Sequence, residues 1–348
     1  MKHRTIPIRI QKNEVLLRRL PKNHKVRAEI EEDQAKRWAG YRGEAALDFH
    51  LSKLPADEYM IFHGLRLTNG QYFFQIDTLI LSSKFALILE VKNISGKLYF
   101  ESQFNQMIQT THNGEQKGYS NPIEQASQQA RELEKWLMKR SIRLRVEFCV
   151  VISRPSTILQ SSSDNSLIHQ KITHVQYLLN KIEKLDMTSK QTPLTNKELK
   201  KISKTFLKEH TPEKFDILNF YKISQDEVIK GVLCPVCISV SMKRIDGVWV
   251  CQGCTLKSSD AHLKAVTDLF LLNNDQPISN KEFRDFLQLN SSHISRRLLK
   301  SLNLPHTGTN KGRRYHPPPN FHLISELNTI TAKSTQYPFK TLPRQDFQ

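Results

Sequence analysis

The chain has 348 residues, of which 38% are hydrophobic, and its formal net charge is +18. No apolar run approaches the roughly 18 residues that a membrane-spanning helix needs, so we predict no transmembrane segment. The N-terminus is basic but has no apolar stretch, which argues against a signal peptide, and we expect a cytoplasmic protein of two or three domains. The charge favours polyanions as partners. Nucleic acid is favoured over a membrane, because no long basic amphipathic helix is evident.

Residues 1–28 are strongly basic and show little periodicity, and we interpret them as an extended arm. Contact with phosphates and a flexible tail without a specific role are equally compatible with this composition.

A helix is predicted over residues 28–54, because Leu47 and Leu51 recur at helical spacing. Glu44 lies three residues before Leu47 and therefore shares the face that packs inward. It is either a carboxylate close to a metal site or a helix acid without a role. Gly40 and Gly43 indicate a close backbone approach or a break in this helix.

Two adjacent apolar strands are predicted between Gln75 and Lys92, joined by a turn at Ser82–Lys84. Asp77 interrupts the first strand. Glu90 and Lys92 lie two residues apart on the second strand and therefore point to the same face.

A carboxylate on each of two paired strands, with a lysine beside them, can bind a hard cation such as Mg²⁺ and activate water. The lysine can position the nucleophile or stabilise developing charge. The plain alternative is a surface hairpin with an ordinary salt bridge. The apolar flanks favour the functional interpretation, because a charge within an interior strand needs a partner or a role.

Further elements are predicted along the same part of the chain. A short strand is expected at 98–100, and a loop or an irregular hairpin at 101–120. Asn121 is a good N-cap for a helix of about twenty residues that carries Gln125 near its start. An apolar run at 146–152 predicts another strand, with Cys149 buried in it.

Several of these motifs, taken in order, resemble the nuclease-related domain (NERD) family, which is assigned to the restriction-endonuclease-like PD-(D/E)xK superfamily. The resemblance covers about Gly40 to Ile182, and the predicted domain spans 29–185. It implies an α/β fold with a restriction-endonuclease-like core, in which helices flank a mixed central sheet. It also implies a Mg²⁺-dependent phosphodiesterase. The motifs are G-Y-R-G-E, Q-I-D-T-L-I-L, L-I-L-E-V-K-N-I-S-G and N-P-I-E-Q, and the site residues that they imply are Glu44, Asp77, Glu90, Lys92 and Gln125.

Residues 186–230 are polar and rich in lysine, and we interpret them as a linker with one or two helices. The next segment, 231–258, contains C-P-V-C and C-Q-G-C separated by 13 residues. Four thiolates at this spacing predict a structural Zn²⁺ site in a small zinc ribbon, with Cys234, Cys237, Cys251 and Cys254 as ligands. A redox pair is the weaker alternative, because no thioredoxin-like context surrounds either motif.

Residues 259–317 are interpreted as a helix-turn-helix-like domain that ends in a basic hairpin. A small helical packing module with a solvated basic face is the alternative. The polar tail 318–348 is expected to be disordered. The residues predicted to contact nucleic acid are Arg296, Arg297, Lys300, Arg313 and Arg314.

The sequence therefore predicts a Mg²⁺-dependent nuclease that acts on DNA, with Asp77 and Glu90 holding the metal. The C-terminal modules would position the nucleic acid. Two alternatives stay open. One is a non-catalytic nucleic-acid-binding protein that keeps the nuclease fold as a platform, and the other is a module that recruits proteins through its zinc ribbon.

Overall fold

The computed structural model of the protein describes residues 1–70, 72–101, 103–161, 166–190, 192–237 and 241–318. The chain divides into two compact units, Met1–Ile229 and Lys230–Gln348. The expected disorder of the tail concerns residues that, apart from Pro318, lie outside the described ranges. Within those ranges, no helix is both long and apolar enough to cross a membrane.

The unit Met1–Ile229 alternates helices and strands, as an α/β fold requires. Its helices are α1 (Ile8–Arg19), α2 (Arg27–Leu51), α3 (Pro122–Met138), α4 (Ser166–Lys171), α5 (Leu178–Thr188), α6 (Asn196–Glu209) and α7 (Ile217–Phe220). Its strands are β1 (Met60–Thr68), β2 (Phe73–Leu81), β3 (Phe85–Lys92), β4 (Lys97–Glu101), β5 (Gln106–Thr110), β6 (Gln116–Ser120), β7 (Arg145–Ile152), β8 (Ile158–Ser161) and β9 (Ile172–His174).

A mixed five-stranded sheet in the order β1-β2-β3-β7-β9 forms the centre of this unit. The first three strands are antiparallel, whereas β3, β7 and β9 are parallel. The strand pair predicted between Gln75 and Lys92 is therefore correct, and it lies in the middle of the sheet. Helices cover both faces of the sheet. The strands are therefore buried on two sides, and their sequences are nearly continuous apolar runs.

One apolar core lies between the sheet and helices α3 and α6, and includes Trp136 and Phe206. A second core lies between the sheet and helices α2 and α5, and includes Leu47 and Ile182. The prediction of a mixed sheet flanked by helices is confirmed, and the finer superfamily architecture remains a prediction.

A second sheet has the strand order β6-β5-β4-β8. The polar stretch 101–120, for which a loop and an irregular hairpin were both considered, contains the antiparallel pair of β5 and β6. Helix α3 follows directly. The Asn121 side chain accepts a hydrogen bond from the backbone N–H of Ile123 at 3.0 Å, and Pro122 occupies the first turn. This is the predicted cap.

The prediction of an extended arm at 1–28 is wrong, because residues Ile8–Arg19 form helix α1. Ile10, Val15 and Leu16 of this helix are completely buried, and α1 packs against α2. The segment is rich in basic residues, but it also contains a short apolar stripe. Burial of this stripe makes the segment part of the fold.

The interpretation of 186–230 as a linker is also wrong, although its helices were expected. Helix α6 buries Leu199, Ile202 and Phe206 in the same core as Trp136. The rings of Phe206 and Trp136 stack with their centroids 5.0 Å apart. This helix is therefore an integral layer of the first unit.

The unit Lys230–Gln348 contains a four-stranded sheet, three helices and a short hairpin within its described residues. The sheet consists of β10 (Val232–Leu233), β11 (Ser241–Ile245), β12 (Val248–Cys251) and β13 (Lys257–Ser258). The remaining elements are α8 (His262–Leu272), α9 (Asn280–Leu287), α10 (Ser292–Ser301), β14 (His306–Thr307) and β15 (Arg314–Tyr315).

Local sequence explains several ends of these elements. Asp246 and Gly247 both have positive φ and form the tight turn between β11 and β12, as an Asp-Gly pair in a two-residue hairpin loop predicts. Ser279 and Glu282 form the predicted capping box at the start of α9. Trp249 of β12 donates to Nδ1 of His262 at 3.2 Å, so the ribbon sheet and the first helix of the unit pack together.

Two glycines in α2 provide a matched test of its packing. A Cβ on Gly43 would come within 2.4 Å of the Asn93 Cβ, whereas a Cβ on Gly40 would meet nothing within 4 Å. We expect Gly43→Ala to destabilise the protein by about 1–3 kcal/mol through overpacking. Gly40→Ala should stabilise it by about 0.5–1 kcal/mol, because alanine favours the helix. Urea denaturation of the two variants beside the wild type measures both effects, and equal stability of the two variants would contradict this packing.

Candidate functional site

An irregularity in the central sheet places Asp77. Residues three apart on a regular strand point to opposite faces, yet Phe62 and Leu65 of β1 enter the same core, as do Ile76 and Leu79 of β2. The break in β1 is Gly64, whose φ of 57° is readily available to glycine. Asp77 lies opposite this break, between the pairs His63–Thr78 and Leu65–Ile76.

Glu90 lies near the end of β3 and is only 2% exposed. Its Oε1 accepts from the Lys92 ammonium at 2.7 Å, and its Oε2 accepts from the Gln129 amide at 3.0 Å. The Lys92 ammonium also donates to Oε1 of Gln125 at 3.0 Å. The buried carboxylate thus has the charge partner and hydrogen bonds that its burial requires.

Asp77 has much weaker support than Glu90. Its Oδ2 accepts from the backbone N–H of Val91 at 3.4 Å. Burial raises the pKa of Asp77 well above its usual range, and the negative charges of Glu90 and Glu44 raise it further. The arrangement therefore favours either a proton on Asp77 or a cation that balances the carboxylates.

Glu44 is held by Arg4, from the segment before α1. The guanidinium contacts Oε2 of Glu44 at 2.6 Å and Oδ1 of Asp48 at 2.9 Å. Burial, together with the charges of Glu90 and Asp48, raises the pKa of Glu44, while Arg4 opposes that shift.

The same guanidinium lies 2.8 Å from Nδ1 of His63. Because arginine only donates, Nδ1 is the acceptor. Burial, and then the charge of Arg4, lower the pKa of His63 to about 4, so its imidazole is neutral at pH 7. The Lys2 N–H and C=O bond to Ile61 and His63 of β1, which fixes the segment that carries Arg4.

Three of the five residues predicted for the active site form one hydrogen-bonded group, and the other two are held separately. Glu90, Lys92 and Gln125 are joined by direct hydrogen bonds. Asp77 is bonded to the backbone of Val91, next to Glu90, whereas Glu44 is bonded to Arg4. The donor set suits a hard cation: the charge of Glu90 acts on Asp77, and Mg²⁺ is commonly bound by one or two carboxylates plus water and phosphate oxygens.

Two residues of this region were missed by the sequence reasoning. Gln129 follows Gln125 by one helical turn, so its spacing on α3 was an available signal. Its Oε1 is buried without a hydrogen-bond partner, beside the bond that its amide makes to Glu90. Arg4 gave no such signal, because its acidic partners lie 40 and 44 residues further along the chain.

The four predicted cysteine ligands converge in the second unit. Their sulfur atoms all lie within 4.8 Å of one another. Sγ of Cys234 lies 3.7 Å from that of Cys254, and Sγ of Cys251 lies 3.9 Å from that of Cys237. Tetrahedral Zn–S bonds of about 2.3 Å place sulfur atoms about 3.8 Å apart, so the cluster is compatible with a zinc site. Across the described ranges, no other group of three or more His, Cys, Asp or Glu converges in this way.

The backbone around the cysteines also supports thiolates. The N–H groups of Cys254 and Gly253 point at Sγ of Cys251. The first of these is the main reason that the pKa of Cys251 is lowered to about 7. Hydrogen bonds from backbone N–H groups to cysteine sulfur favour the charged form that a metal needs.

The basic residues predicted to contact nucleic acid are mostly exposed. Arg296, Arg297 and Lys300 lie on the outer face of α10, while Ser295 and Leu299 face inward. On the hairpin, Arg313 is half-buried, and Arg314 is exposed and forms an ion pair with Glu282 at 2.8 Å. Among the described residues, the cations on this face of α10 have no carboxylate partner, whereas Arg314 has one.

Residues 39–153 match a family described as the nuclease-related domain (NERD). The matched segment includes Glu44, Asp77, Glu90, Lys92 and Gln125, and it ends before Ile182, where the sequence resemblance was expected to end. No curated protein and no solved structure matches the chain. The match supports a nuclease-related function for the first unit.

We expect one tightly bound Zn²⁺ per chain, lost in Cys234→Ser and in Cys251→Ser, because metal binding supplies the folding energy of such a small ribbon. Cys149→Ala is the matched control: this thiol is buried in β7, and burial raises its pKa to about 11. Elemental analysis of protein purified without chelators measures the metal. Absence of zinc from the wild type, or retention of zinc by both ligand variants, would contradict the assignment.

Proposed function

We propose that the unit Met1–Ile229 hydrolyses phosphodiester bonds of nucleic acid with the aid of Mg²⁺, and that DNA is the substrate. The observation that carries the proposal is the hydrogen-bonded group of Glu90, Lys92 and Gln125 at one end of the β2–β3 pair, with Asp77 bonded to the backbone of Val91 beside it. It lies within the segment that matches the nuclease-related domain.

Asp77 and Glu90 would hold the cation, with the carbonyl of Val91 as a candidate third ligand. Bound there, Mg²⁺ supplies Lewis-acid stabilisation of the phosphate and lowers the pKa of a water molecule. The raised pKa of Asp77 supports this role, because a cation would relieve the repulsion between its carboxylate and that of Glu90.

Lys92 would orient the attacking water and stabilise charge that develops on the phosphate. Its ammonium is already aimed by two acceptors, Glu90 and Gln125, so Gln125 acts by holding it in place. Glu44 would act as a supporting metal or water contact, with its position set by Arg4.

The second unit would position the nucleic acid. The Cys quartet would be a closed structural Zn²⁺ site, because four protein ligands leave no open coordination position. Arg296, Arg297 and Lys300 would contact phosphates from the exposed face of α10, with Arg313 and Arg314 on the following hairpin.

One observation favours the alternative of a non-catalytic nucleic-acid-binding protein. Lys92 already balances Glu90, and Arg4 already balances Glu44 and Asp48, so these carboxylates have partners from the protein itself. Incubation with supercoiled DNA, linear DNA and RNA, each with and without Mg²⁺, separates the two functions. Mg²⁺-dependent products support the nuclease, and binding without products supports the platform.

We expect Asp77→Asn and Glu90→Gln each to lower the cleavage rate by roughly 10³-fold, because each removes a charge needed for metal binding and transition-state stabilisation. These substitutions keep the side-chain shape, so folding and nucleic-acid binding should persist. Glu32→Gln is the control, since Glu32 is an exposed carboxylate that pairs with Lys36 on α2. Wild-type rates in the Asp77 or Glu90 variant would refute the site.

We expect the triple variant Arg296→Ala, Arg297→Ala and Lys300→Ala to bind all DNA sequences more weakly. Its salt dependence, the slope of log affinity against log salt concentration, should be reduced by roughly three units, because each phosphate contact contributes about 0.9. Affinity measured across salt concentrations for the variant and the wild type tests this. Parallel curves with unchanged affinity would mean that α10 does not contact nucleic acid. A loss confined to one sequence would instead indicate reading of a base.

A further inference from the structure

Helix α6 carries a row of lysines on its exposed face. The side chains that line one groove along this face are Asn196, Lys197, Lys200, Lys201, Lys204, Thr205 and Lys208. The spacing of three and four residues aligns them along the helix. From Lys197 to Lys208 the row extends about 16 Å, at about 1.5 Å per residue.

These lysines lack acidic partners within the described part of the chain, although α6 contains two glutamates. Glu198 is used by the capping box, where it accepts from the N–H and the hydroxyl of Thr195 at 2.8 and 2.7 Å. Glu209 forms an ion pair with Arg140, just beyond the C-terminal end of α3. Both carboxylates thus have partners outside the lysine row.

The lack of acidic partners is a property of α6 and is not shared by the neighbouring helix α3. Its exposed cations have carboxylate partners: Arg131 pairs with Glu124 at 2.6 Å, and Lys135 pairs with Glu132 at 2.9 Å. Helices α3 and α6 pack on the same core. Among the described residues, the exposed cations of α3 are therefore paired with carboxylates, whereas the lysines of α6 are not.

The far end of α6 is fixed close to the candidate active site. Nδ1 of His210, the residue after the helix, accepts from the N–H of Arg66 at 3.1 Å, and Arg66 pairs with Gln75 of β2. Gln75 precedes Asp77 by two residues, or about 7 Å along the strand. The C-terminal end of the lysine row is thus anchored at nearly the same level of the sheet as the proposed catalytic carboxylate.

We propose that the lysine row of α6 is a phosphate-binding surface for the backbone of duplex nucleic acid. The proposal rests on the proposed nuclease function and adds a substrate-holding surface within the catalytic unit itself. A straight row of point charges without aromatic side chains suits a phosphate backbone, whereas single-stranded nucleic acid is commonly held by aromatic stacking.

A membrane surface fits this helix less well. An amphipathic helix that binds a bilayer inserts its apolar face, whereas α6 uses Leu199, Ile202 and Phe206 in the protein core. What remains outside is the charged face, with Leu207 as an exposed apolar residue.

The test compares Lys200→Gln/Lys204→Gln with the control pair Lys36→Gln/Lys135→Gln. Each variant loses two positive charges from exposed helix positions, but the control lysines have glutamate partners at 2.6 and 2.9 Å. Glutamine has nearly the helix propensity of lysine, so folding should be retained. Both pairs are placed in an Asp77→Asn background, which blocks cleavage without a chelator that would also remove zinc.

Binding to a duplex is measured across salt concentrations. We expect the α6 pair to lower the salt-dependence slope by about two units and the affinity roughly tenfold or more near 0.1 M salt, with a much smaller change in the control. Parallel curves for the α6 variant, or equal losses in both variants, would overturn the proposal. So would unchanged duplex binding together with lost binding to vesicles of phosphatidylserine and phosphatidylcholine.

The two proposals fail separately. If the wild type binds duplex through these lysines but produces no Mg²⁺-dependent cleavage, the nuclease function is refuted and the binding surface stands. If the wild type cleaves while the α6 variant binds as tightly as its background, the surface is refuted and the nuclease function stands.

Discussion

The burial of carboxylates within an apolar sheet is the constraint on which the first unit depends. Glu90 is 2% exposed, and a charge at such depth is tolerated only with partners. Lys92 lies two residues along the same strand, and α3 adds Gln125 and Gln129 from one side. Asp77 has fewer hydrogen-bond partners than Glu90. It lies opposite Gly64, where the neighbouring strand is interrupted. Burial, and then the charges of Glu90 and Glu44, raise the pKa of Asp77 well above its usual range, and the Val91 N–H and Lys92 only partly oppose them.

Helix α2 completes this arrangement through its close approach to the end of the β2–β3 pair. The Asn93 amide donates to the carbonyl of Ala39 at 2.6 Å, and Gly43 leaves room for the Asn93 side chain. Glu44 is the next residue of α2, so the contact that needs a glycine also positions a carboxylate. The Gly-Tyr-Arg-Gly-Glu segment therefore combines packing with placement of charge.

Local patterns in the sequence were sufficient to predict the elements that carry the site. The apolar runs before Glu90 and after Asp77 specify two buried strands, and Asn121 with Pro122 specifies the start of α3. The Cys pairs predicted a cluster that does converge, because short hairpins bring their ends together. In each case the informative residues lie within one short stretch of the chain, and even Cys234 and Cys254 are only 20 positions apart.

The remaining features depend on contacts between distant parts of the chain. Arg4 contacts Glu44 and Asp48 from an N-terminal segment that is hydrogen-bonded to β1. The stacking of Phe206 on Trp136 makes α6 part of the core, although its composition is that of a linker. A high content of lysine describes the exposed face of a helix and says little about the face that packs, so composition alone does not predict that α1 and α6 belong to the fold.

The same distinction applies to the charge of the whole protein. A net charge of +18 indicates a polyanionic partner but does not say which cations are free to bind it. In the first unit, Arg4, Arg131 and Lys135 are cations with carboxylate partners, and they serve the fold. In the part of the chain that the structure describes, the lysines of α6 add to the net charge without such partners, because the glutamates of the helix bond to other residues at its two ends. The net charge therefore indicates a binding surface only when the folded chain shows where the unpaired cations lie.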